Sequence, residues 1–116
     1  MPDRPSLPEP FRCDVVQADD ELRIVLTGEL DLATSPALDR VLQDAEPSGG
    51  ARVAVDLRRL TFMDSTGLRV LMRWDAAARS AGLDPVFIAG PPAIQRIFAT
   101  TRLLDRVTFV EPPADD

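Results

Sequence analysis

The spacing of apolar residues changes several times along this chain, and each change marks an element. Glu21 to Leu30, ELRIVLTGEL, sets Leu22, Ile24 and Leu26 at alternate positions before Gly28. A period of two predicts a strand, and a glycine near its end predicts a bulge or bend. Phe11 to Gln17, FRCDVVQ, predicts a strand before it, and Ala18-Asp19-Asp20 a polar turn. The two strands together read as an antiparallel hairpin. Leu38, Val41, Leu42 and Ala45 then fall at i, i+3, i+4 and i+7, one face of a helix. Thr34 or Ser35 can cap that helix, Pro36 suits its first position, and Pro47-Ser48-Gly49-Gly50 ends it.

Arg52 to Leu57, RVAVDL, is a short β-branched run that predicts a buried strand. A second helical pattern starts after Asp64. At about 100° per residue, Gly67, Val70, Leu71, Trp74, Ala77, Ala78 and Ala81 share the face expected to pack on the sheet. Leu68, Met72, Asp75 and Arg79 form a stripe to one side, and Gly82 marks the stop. Pro85 to Ala89 predicts another buried strand. Gly90-Pro91-Pro92 then leads into a short helix with Ile94, Ile97 and Phe98 inward, and Arg106 to Val110 predicts a last strand. The order β-β-α-β-α-β-α-β predicts an α/β fold, a mixed sheet of about five strands with three or more helices packed against it. Right-handed crossovers are expected between parallel neighbours. No internal repeat interrupts this order. Residues 1–10, with four prolines, are expected to be a flexible tail, 11–111 a single domain, and 112–116 an acidic tail.

Composition narrows what such a domain can do. The chain has 116 residues, suited to one domain, and 45% of them are hydrophobic, enough for a modest core. A net charge of −6 argues against nucleic acid and against anionic lipid as partners. No apolar run approaches the ~20 residues of a membrane span, and the N-terminus lacks a signal-peptide pattern, so a cytoplasmic protein is expected. The single cysteine, Cys13, excludes an internal disulfide and is expected to be a small, partly buried side chain. There is no His, and all 13 basic residues are Arg. A serine nucleophile therefore lacks its usual His or Lys base. A Walker phosphate loop and a His- or Cys-rich zinc site are excluded on the same grounds. Carboxylates remain, as paired acids or as ligands for a hard cation such as magnesium.

Two short stretches are candidate sites. In Thr61 to Arg73, TFMDSTGLRVLMR, an apolar approach runs into Asp64-Ser65-Thr66-Gly67 and then into the helix. Asp64 or Ser65 can cap the helix, worth about 1 kcal/mol, and Gly67 lets the helix sit close to the sheet. Capping needs one such residue, and three polar side chains stand here. They follow a strand at its carboxyl end, where open α/β sheets place their sites, and a helix N-terminus welcomes a phosphate. The second stretch is Gly28-Glu29-Leu30-Asp31. Asp31 is expected in an Asx turn, or beside Asp64 as an acidic pair around Ser65. Magnesium between the two is the weaker reading. The stripe that begins with Leu68 and Met72 is either an ordinary helix flank or a docking face.

Val53 to Arg73, VAVDLRRLTFMDSTGLRVLMR, resembles the signature of the STAS domain (sulphate transporter and anti-sigma factor antagonist). Leu26 to Leu38, LTGELDLATSPAL, resembles that family's other motif, Gly-Glu-Leu-Asp followed by a helix. The resemblance extends from about Phe11 to Glu111. It implies a STAS-type fold and a bacterial anti-anti-sigma factor, which binds an anti-sigma factor and frees its sigma factor. In that family the anti-sigma factor is typically a serine kinase using ATP, and a metal-dependent serine phosphatase reverses its action. Ser65 matches the phosphorylated serine, Asp64 and Gly67 its flanks, and Asp31 the acid of the first motif. Thr66 stands where many members have serine and is a second potential acceptor. Asp31, Asp64, Thr66 and Gly67 from the motifs, joined by Leu68 and Met72 from the helix stripe, are the expected partner-binding residues, and no catalytic residue, metal or cofactor is expected. The alternative within the fold is a scaffold or transport-complex subunit without a phosphoswitch.

Overall fold

A computed structural model describes residues 10–18, 21–45 and 52–113. Residues 1–9 of the tail expected over 1–10, the turn at Asp19-Asp20, the helix stop at Pro47–Gly50 and residues 114–116 of the expected acidic tail lie outside them. The strands are β1 (Arg12–Ala18), β2 (Glu21–Leu30), β3 (Arg52–Met63), β4 (Asp84–Ile88) and β5 (Phe109–Val110). The helices are α1 (Ser35–Asp44), α2 (Ser65–Ser80) and α3 (Pro92–Thr100). The five strands form one sheet in the order β1-β2-β3-β4-β5. β1 runs antiparallel to β2, and the remaining neighbours are parallel. The mixed sheet with three helices is the architecture expected from the element order.

Alternation on β2 buries Leu22, Ile24 and Leu26, with Val53, Val55 and Leu57 beside them on β3. Leu38 and Leu42 of α1, Val70 and Leu71 of α2, and Ile94 and Phe98 of α3 join the same core. Phe87 of β4 stands edge-on to Trp74, with ring centroids 5.5 Å apart, and Phe98 meets Phe109 in the same way at 5.4 Å. Edge-to-face contacts suit the ring quadrupoles and bury large areas. Cys13 is half-buried, and desolvation, with Asp14 adding to it, raises its thiol to about 11, so it is protonated at neutral pH.

Three expectations need correction. First, β3 does not stop at Leu57 but continues to Met63. Between Val25 and Thr27 the partner on β3 moves from Asp56 to Arg59, and between Gly28 and Glu29 it moves from Leu60 to Phe62. Each step inserts one extra residue on β3, which is how a bulge works. Gly28 takes φ 98° at the second step, a conformation that suits glycine. Arg58 folds back so that Nε and Nη2 donate to Oδ1 and Oδ2 of Asp56, at 3.0 and 2.7 Å, and its charge stays paired over the strand. Second, the last strand is two residues and not five. Arg102 adopts φ 62° after α3, and Val107 turns into the core instead of joining the ladder. Third, the buried face of α2 is rotated. Leu68 and Asp75 are buried with Gly67, Val70, Leu71 and Ala78, whereas Ala77 and Ala81 are exposed. Arg79 Nε donates to Asp75 Oδ2 at 3.0 Å and pairs its charge, while Oδ1 is buried without a hydrogen-bond partner.

The carboxyl ends of β2 and β3 lie together, Leu30 paired with Met63. Both candidate stretches leave the sheet from this end.

Candidate functional site at the start of helix α2

Asp64 holds the two stretches together. Its Oδ1 accepts the N–H of Gly67 at 3.0 Å, which caps α2. Its Oδ2 accepts the N–H of Leu32 at 3.1 Å, across from the loop after β2. The backbone N–H of Asp64 donates to the Leu30 carbonyl at 3.1 Å. One of these bonds caps α2 internally, and the other two tie its N-terminus to the end of β2 and the loop that follows. Gly67 makes that approach sterically allowed. A Cβ there would stand 2.5 Å from Leu30 Cγ and 2.8 Å from Leu30 Cδ2.

Asp31 organises the neighbouring loop. Its Oδ1 accepts the N–H groups of Ala33 and Thr34, each at 3.0 Å, the Asx turn expected from its position. Thr34 occupies the N-cap position of α1, yet its hydroxyl donates to the Glu29 carbonyl at 2.8 Å and makes no side-chain cap bond. Ser35 lies within the helix, its hydroxyl buried without a partner. Capping by Thr34 or Ser35 is therefore replaced by the Asp31 turn.

Ser65 is the first residue of α2 and is exposed, and no hydrogen bond among the described residues engages its hydroxyl. Its neighbours are fixed and its own side chain is not. Thr66 is half-buried. Leu68 is 6% exposed and belongs to the core, so the stripe expected to start with it is narrower than the sequence suggests. Met72 is half-buried against that core. Two apolar side chains that sequence reading missed lie on the same end of the sheet: Leu32, 72% exposed, and Phe62, 47% exposed. Leu32 follows Asp31 directly, and an apolar residue in so polar a turn was the available signal.

Asp31 and Asp64 belong to no larger cluster of metal-ligating side chains among the described residues. Among the described residues, no group of three or more His, Cys, Asp or Glu side chains could hold a metal ion. The carboxylates of Asp31 and Asp64 are instead directed at backbone N–H groups. No helix among the described residues is long and apolar enough to cross a membrane.

Residues 13–111 match the family described as "Mlab, STAS domain". An anti-sigma-B factor antagonist of Staphylococcus epidermidis is 30% identical over 92 residues, covering 79% of this chain and 85% of that protein. Its counterpart in Listeria monocytogenes is 29% identical over 86 residues, covering 74% and 75%. The crystal structure of an anti-sigma factor antagonist from Mycobacterium paratuberculosis superposes with a TM-score of 0.76 at 25% identity, covering 96% of this chain and 93% of that one. The phosphorylated form of the Bacillus cell fate determinant SpoIIAA shares the fold, with a TM-score of 0.64 at 16% identity over 91% and 94% of the two chains. The Staphylococcus, Listeria and Mycobacterium proteins are named for opposing a regulatory factor, and none of the four names is that of an enzyme.

Proposed function

The chain belongs to the STAS-domain family, and from that premise we propose that it is an anti-sigma factor antagonist switched off by phosphorylation of Ser65. It binds an anti-sigma factor through the surface around the start of α2 and so releases the sigma factor. That surface comprises Ser65, Thr66, Met72 and the exposed apolar Leu32 and Phe62, held in place by Asp31, Asp64 and Gly67. The anti-sigma factor is itself the serine kinase, and a serine phosphatase restores the antagonist, all in the cytoplasm.

The observation that carries this reading is the contrast at the helix start. Asp64 and Gly67 are locked to the end of β2, while the Ser65 hydroxyl is exposed and unbonded. A kinase can reach that hydroxyl without unfolding anything. A phosphate adds ~1.5–2 negative charges at neutral pH. The helix N-terminus favours it by ~0.3–1 kcal/mol and Asp64 repels it, so the fold changes little. The charge instead lands in the docking surface. A loss of ~3–4 kcal/mol of binding lowers affinity by two to three decades, enough for a switch. Incubation with the cognate anti-sigma kinase and ATP, followed by peptide mass mapping, is expected to find one phosphate, on Ser65. A phosphate on Thr66 or elsewhere, or none, would remove the switch.

The family description names no sigma regulator, unlike the names of the curated relatives, and this supports one second function. It is a STAS scaffold or transport-complex subunit without a phosphoswitch. Affinity purification that recovers a transport ATPase and no sigma regulator would select it.

A further inference from the structure

Ser65 opens α2, and Arg69 follows four residues later. Residues at that spacing are neighbours on one helix face. Helical side chains lean towards the N-terminus, so a long side chain at position 69 extends over the turn that holds position 65. Arg69 is exposed, and no hydrogen bond or ion pair among the described residues engages it. The other charges nearby are committed or of the wrong sign. Asp64 accepts from Gly67 and Leu32, and Asp31 from Ala33 and Thr34. Arg73, the next cation along the helix, stands 3.7 Å from Asp39. A phosphate on Ser65 would therefore meet the adjacent Asp64 carboxylate and one uncommitted guanidinium.

We propose that Arg69 clamps the phosphate on Ser65, so that modification also withdraws a positive point from the docking surface. This rests on the reading of Ser65 as the acceptor. A guanidinium suits the task because its planar fork matches two phosphate oxygens. Phosphorylation then changes the surface twice, once by the added charge and once by pairing off the charge of Arg69.

The test places phosphoserine at position 65 during translation of the full chain, with no kinase needed, and follows its second ionisation by phosphorus NMR. Asp64 raises that midpoint in every variant alike, and Arg69 lowers it only where present. The midpoint is expected about 0.15–0.4 pH units lower in the otherwise unchanged protein than in Arg69→Ala. Arg69→Lys should fall between them, Arg73→Ala should match the unchanged protein, and 1 M salt should collapse the difference. Equal midpoints with and without Arg69, or a shift as large in Arg73→Ala, would overturn the clamp. Because the phosphate is installed without a kinase, failure of the clamp leaves Ser65 as an acceptor. Failure of every kinase to modify Ser65 leaves the clamp measurement standing.

Discussion

Two turns at the carboxyl end of the sheet each carry an aspartate at the start of a helix, and they use it differently. Asp31 bonds the backbone two and three residues ahead of it. Asp64 splits its oxygens between Gly67 in its own helix and Leu32, which is 32 residues away in sequence. The first turn is local and can form from its own sequence. The second exists only once β2 and β3 lie side by side. The serine that follows Asp64 thus sits on a frame held from two directions, while its own hydroxyl stays open. A modification site gains from this arrangement, because the frame survives when the side chain changes.

The comparison can be broken most severely at Gly67. Val at this position would press Cβ and its methyls onto Leu30, which is fully buried and has nowhere to go. A loss of about 3 kcal/mol is expected, read as a lower urea midpoint at constant slope. A near-unchanged midpoint would show that α2 can lift off β2, and the two-directional frame would be wrong. Next comes Asp64→Ala, expected to cost about 2 kcal/mol, since it removes a cap and the bond to Leu32 together. Asp31→Ala should cost about 1 kcal/mol, the value of one local turn. Hydrogen exchange sharpens the pair: the Leu32 amide should speed up in Asp64→Ala and stay slow in Asp31→Ala. Equal effects in both variants would erase the distinction between the turns. The smallest effect is expected for Ser65→Ala, within about 0.5 kcal/mol, because an exposed, unbonded hydroxyl contributes little to the fold.

Much of this arrangement was legible in the sequence because it follows local rules. The ends of β2, the cap by Asp64, the stop at Gly82 and the Asx turn at Asp31 each need only a few neighbouring residues. Gly82 takes φ 83°, and the N–H of Leu83 returns to the Ala78 carbonyl at 3.0 Å, as a glycine stop requires. What escaped was set by partners distant in sequence. The buried residues Leu57, Leu60 and Met63 recur every three positions and do not read as a strand. The two extra residues that bulge β3 against β2 produce that spacing. The rotation of α2 escaped for a similar reason. Asp75 reads as a surface residue until Arg79 is seen to neutralise it, and Leu68 reads as flank until the core is assembled. The expected last strand lost three residues because the turn at Arg102 and the burial of Val107 compete with the ladder. At the site, the motif indicated Ser65, Asp64, Gly67 and Asp31. The exposed Leu32 and Phe62 emerged only when the ends of β2 and β3 were placed together.

The central claim is that the phosphate acts on docking and not on the fold. Its most direct test is calorimetric titration of the cognate anti-sigma factor with the unmodified protein and with protein carrying phosphoserine at position 65. Thermal unfolding of both forms is measured alongside. The account predicts that affinity falls by about 100- to 1,000-fold while the two unfolding curves nearly coincide. Equal affinities would contradict it, and so would a loss of binding accompanied by a collapse of the folded state.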